Sequence, residues 1–123
     1  MTAPFRRLLL VAALCGAAVA CARVVLPIAT PADVARAGER WPGTTASELA
    51  RGRSLYAGHC GSCHRPVAPE SRAAEEWPEH VYEMQGQAKL SDEQARLVVR
   101  YLVTMAGRRA SPHASAAGGE GAR

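Results

Sequence analysis

At 123 residues the chain is long enough for a single small domain. Its 15 Lys and Arg stand against 11 Asp and Glu, and taking away Arg6 and Arg7 with a leader leaves 13 against 11. A charge so close to neutral, with no basic cluster interleaved with aromatics, argues against a nucleic-acid partner.

The first segment, residues 1–20 (MTAPFRRLLLVAALCGAAVA), has the plan of a secretory signal. Two arginines precede an apolar run, and small residues precede a cut. The run is shorter than the roughly 20 apolar residues of a membrane span, and no second hydrophobic segment comes after it. Ala18-Val19-Ala20 suits ordinary signal cleavage. Followed by Cys21, the same stretch resembles the lipobox of bacterial lipoproteins, in which that cysteine is acylated and becomes the new N-terminus. Ala18 departs from the larger aliphatic usual there. A thiol with no partner in an exported chain favours lipidation of Cys21 over a plain secreted form. Each acyl CH₂ buried in a bilayer would contribute roughly 0.8 kcal/mol to the anchorage. The expected location is the periplasm, on a membrane.

Residues 21–44 contain three prolines and no sustained periodicity, and read as a membrane-proximal tether. Within it, Pro31–Arg40 reads as a short helix, with Trp41 packing back on the domain. Residues 45–107 form that expected domain. Thr45-Ala46-Ser47-Glu48 is a capping box, and Leu49, Gly52, Leu55 and Tyr56 recur at helical spacing up to Gly58. A shorter helix is expected over Pro78–Gln85, with Pro78 at its first position. Ser91-Asp92-Glu93-Gln94 is a second capping box. Leu97, Val98, Tyr101, Leu102 and Met105 then make one apolar stripe before Gly107. No stretch alternates as a strand, so the class is all-α, three to four short helices. Residues 108–123 are Gly, Ala and Ser with little apolar content and read as a disordered tail. A core of this size is thin, and domains below roughly 70–80 residues usually need a staple, a metal or a cofactor.

Between the first two domain helices lies CGSCH, Cys60 to His64. A thioredoxin-like dithiol calls for CxxC at a helix N-terminus in a βαβ context, and here the motif comes after a helix in an all-α chain. A tetrahedral zinc site needs further ligands at set spacing, and His59, His80 and His113 fit no such pattern. A Cys60–Cys63 disulfide would leave His64 without a reason. Covalent haem attachment accounts for all three residues: each thiol adds to one vinyl group, and the adjacent imidazole meets the iron. It also supplies the missing interior, a large flat body on which helices can close.

RGRSLYAGHCGSCHRP, with a later helix containing YL, resembles the small bacterial c-type cytochromes over about Leu49 to Met105. The CxxCH is the specific part of the match. The resemblance implies a cytochrome c-like fold with one haem c per chain. It implies thioethers at Cys60 and Cys63 and His64 as the proximal iron ligand. Members usually place Met on the distal side, which points to Met84, with His80 one turn earlier and Met105 in the last helix as rivals. The interval between His64 and Met84 is short for the family. His59 is expected to face outward, His64 Nδ1 to be held by a carbonyl between Arg65 and Pro69, and Tyr56, Trp77 or Tyr101 to pack on the haem. A haem with both axial positions filled transfers electrons with little rearrangement, whereas an open one binds small ligands. The expected function is therefore single-electron carriage between redox partner proteins, without enzymatic activity. The alternative is a haem protein with an open distal site, a gas sensor or weak peroxidase. A subunit docked to a larger oxidoreductase is a third possibility.

Overall fold

The computed structural model describes residues 24–110. The signal segment, Cys21 and the tail from Ser111, with His113, lie outside the described residues, which form a small all-α domain of four helices without strands. None of these helices is long and apolar enough to cross a membrane.

Helix α1, Pro31–Arg40, starts at a capping box that the sequence pattern conceals, because aspartate stands where Glu or Gln is usual. Thr30 N–H donates to Asp33 Oδ2 at 2.7 Å while Asp33 N–H donates back to Thr30 Oγ1. Helix α2, Ala46–His59, begins at the expected box of Thr45 and Glu48 and passes through Gly58 to end at His59. Helix α3, Trp77–Met84, lies one residue earlier at each end than expected, and Pro78 occupies its first turn, where its missing N–H costs nothing. Helix α4, Asp92–Ala106, starts at the box of Ser91 and Gln94.

The fold is organised around α4. All five residues of the expected stripe are buried, and so are Ala95, Val99, Val103, Thr104 and Ala106. Burial runs round the helix because α2, α3, α1 and the 3₁₀ turns Pro69–Ser71 and Ala74–Glu76 all pack against it. The tightest approach is to α2. A Cβ on Gly52 would lie 2.3 Å from the Leu97 carbonyl oxygen and 2.8 Å from Tyr101 Cβ, so only glycine lets the two backbones cross here.

Both expected boundaries of the domain move outward. The stretch 21–44 is not a tether over the part described: Leu26 sits in the core, and residues 26–28 are fastened by side chains. Arg53 Nε, Tyr101 Oη and Arg108 Nη2 donate to the carbonyls of Leu26, Pro27 and Ile28 at 2.9–3.0 Å. Asp33, only 2 % exposed, is the second fastening. It accepts from Arg108 Nε at 3.0 Å and Nη2 at 2.5 Å, and Arg36 Nη2 also bonds to it. Burial alone would push this carboxyl up, but the hydrogen bonds from Arg108, Thr30 and Arg36 outweigh it and hold the group well below the usual carboxylate range. At the other end, α4 passes through Gly107 in right-handed conformation into a 3₁₀ turn over Gly107–Ala110, so Arg108 belongs to the domain and not to a tail.

Candidate functional site

The last turn of α2 carries Tyr56 and His59 to the edge of the domain, and the chain tightens there into a 3₁₀ turn, Cys60–Ser62. Ser62 Oγ donates to the His59 carbonyl at 2.7 Å and closes this turn. Cys60 is half-buried, Cys63 is exposed, and both are free thiols. Burial pushes the Cys60 thiol up, which favours the protonated form; a disulfide-exchange dithiol needs the opposite shift. His64 comes next, and its Nδ1 lies 3.0 Å from the Arg65 carbonyl. With the proton on Nδ1 that bond fixes the ring and leaves a free lone pair on Nε2. This is the acceptor expected from the Arg65–Pro69 stretch.

Two aromatic side chains hold the loop beyond the motif. Tyr56 Oη donates to the Val67 carbonyl at 2.9 Å and accepts from Val67 N–H at 3.1 Å. Burial pushes this hydroxyl up to about 12, outweighing the opposing effect of its bond with Val67. Trp77 Nε1 donates to the Pro69 carbonyl at 2.9 Å, and its ring meets Tyr56 edge-on.

The facing wall is α3. Trp77, His80, Val81 and Met84 fall at i, i+3, i+4 and i+7 and so share one side of the helix. The turn behind Met84 is a Schellman closure: Leu90 N–H reaches the Gln85 carbonyl and Lys89 N–H the Gly86 carbonyl, with Lys89 in left-handed conformation at φ 53°. That turn brings Gln87, Ala88 and Leu90 beside Met84.

Motif, loop and α3 together enclose a mostly apolar cavity of about 330 Å³. Cys60, Cys63, His64, His80 and Met84 all line it. Met105 does not; it is buried in the core on α4, as the periodicity of its stripe suggests. His59 corrects another expectation. It faces the cavity and not the exterior, and its Nδ1 lies 2.8 Å from the Ala88 carbonyl. Of the three aromatics, Tyr56 and Trp77 line the cavity with their polar tips engaged by backbone, and Tyr101 is held elsewhere by Pro27.

Sequence reasoning missed Arg72. It lines the cavity with its guanidinium 5.7 Å from the Trp77 ring, and nothing in its local sequence distinguishes it from a surface arginine. Among the described residues no three His, Cys, Asp or Glu side chains gather as ligands of one metal ion. The thiols and imidazoles are distributed over the cavity wall instead. No protein-family model matches the chain, and neither a curated protein nor a solved structure is significantly similar to it.

Proposed function

We propose that the chain is a monohaem c-type cytochrome with a cytochrome c-like fold, exported to the periplasm, lipidated at Cys21, and carrying single electrons between redox partner proteins. The observation that carries this reading is the convergence of a CxxCH turn and an α3 face bearing His80 and Met84 on one apolar cavity. Its volume falls within the range of about 300–1,000 Å³ common for cofactor sites. The donor set also fits: two unpaired thiols at the rim, an imidazole with its ring fixed through Nδ1, and a thioether on the opposite wall. When bound, haem supplies an iron centre that cycles between ferric and ferrous states.

Cys60 and Cys63 would hold the porphyrin covalently, and His64 would offer Nε2 to its iron. Met84 would offer its sulfur as the second ligand. Tyr56, Trp77, Val81 and Leu90 exclude water, and Arg72 places a positive charge at the rim for the carboxylates of the cofactor. His80, edge-on to Trp77 with ring centroids 5.9 Å apart, is the neighbour that shapes the wall beside Met84.

Carbon monoxide tests the distal assignment. The reduced protein is expected to show almost no spectral change, because His64 and Met84 together would leave the gas no free position. Met84→Ala is expected to bind the gas and shift strongly, while His80→Ala stays low-spin. A large shift in the unaltered protein would favour the open-site haem protein, and an unchanged low-spin spectrum in Met84→Ala would remove Met84 from the iron.

A further inference from the structure

Among the described residues the exposed large hydrophobics are Val24, Val25, Ile28, Val67 and Tyr82. Single exposed apolar side chains are ordinary, but three of these five fall within five consecutive residues. Val24 is 46 % exposed, Val25 83 % and Ile28 74 %. They are not on a loose strand. Leu26, between them, is in the core, and the carbonyls of Leu26, Pro27 and Ile28 are each bound by a side chain of α2, of α4 or of the turn after it. The segment is pinned with Val24, Val25 and Ile28 outward.

We infer that this pinned face lies in the headgroup region of the bilayer to which Cys21 is fixed, with Val24, Val25 and Ile28 inserted. The inference rests on the lipid anchor of the proposed function. Cys21 stands three residues before Val24, and three extended residues span at most about 10 Å, so an acylated Cys21 keeps this face within that distance of the membrane. The consequence is a fixed orientation in place of a long leash. Arg53, which grips Leu26, is seven residues before Cys60, the residue that caps its helix, about 10 Å along the helix axis. With about 10 Å of helix between the pinned face and the motif, the partner within reach of the cavity is a redox protein embedded in that same membrane.

The test is hydrogen exchange on the mature, haem-loaded protein in phospholipid vesicles, with Cys21→Ser in solution as reference and the mass of the N-terminal peptide recorded. The amides of residues 24–29 are expected to exchange at least tenfold more slowly on vesicles, and Val25→Ser with Ile28→Ser is expected to abolish the slowing. Both positions are exposed, so the double variant is expected to fold. An acylated N-terminal peptide without slowing would overturn the proposed face while leaving the anchor. Slowing that survives in the double variant, or that appears in Cys21→Ser at high protein concentration through self-association, would also overturn it. An unmodified N-terminal peptide would remove the anchor and the proposal with it.

Discussion

His59 precedes the first motif cysteine, yet its ring bonds to the carbonyl of Ala88 in the turn behind Met84, so one imidazole joins the two walls of the cavity. Loss of a hydrogen bond of this kind costs about 1 kcal/mol. His59→Ala is expected to lower stability by about that amount and to speed exchange at the amide of Leu90. His59→Asn, whose amide can stand near the Nδ1 position, is expected to restore the protected amide. Unchanged exchange in His59→Ala would show that the link does not hold the turn. Nothing near position 59 announces this role. The sequence places His59 beside a motif at the end of a helix, but its partner is a backbone carbonyl, and carbonyl positions are not written in side-chain patterns. Cys60, Cys63 and His64 stood out for the opposite reason: CxxCH gathers them within five residues, and all three line the one cavity.

Between elements, two contacts decide the packing. At the crossing of α2 and α4, Gly52→Ala would press a methyl onto the Leu97 carbonyl. Overpacking costs about 1–3 kcal/mol, against up to about 1 kcal/mol of helix propensity gained. The net expectation is a lower melting temperature, by roughly 4–8 °C per kcal/mol in a domain of this size, read by circular dichroism. An unchanged melting temperature would mean that the helices separate freely. At the other contact, Asp33 ties α1 to Arg108 beyond α4. Its carboxyl is lowered in the folded state from an ordinary 3.8, so it contributes stability that is complete above about pH 5 and is lost as pH falls through the folded value. Asp33→Asn is expected to cost about 1–3 kcal/mol at neutral pH, below the full cost of a buried pair because Arg108 is 38 % exposed. It should also flatten the acid limb of a stability profile. An acid limb as steep as in the unaltered protein would place the responsible carboxylate elsewhere. The helices themselves were legible from two capping boxes and one apolar stripe. Trp41 packs on the core as its sequence suggested, but the docking of residues 24–33 was not legible, because it rests on Arg53, Asp33 and Arg108, whose charges look solvated until the fold brings them together. The turn after α3 was missed similarly, since Lys89 adopts the left-handed position where glycine is the usual signal.

At the scale of the whole molecule, the core gathers around α4, while the end of α2 and one side of α3 face an apolar cavity of about 330 Å³. A covalently held haem would complete that interior and give the motif, the fixed His64 ring and the sulfur of Met84 a common purpose. The most direct measurement is the intact mass of the purified protein under denaturing conditions, after expression in a host that matures c-type cytochromes. The expected result is the chain mass increased by one haem, with neither Cys60 nor Cys63 open to alkylation. A folded, colourless protein at the bare chain mass with both thiols reactive would contradict the central claim.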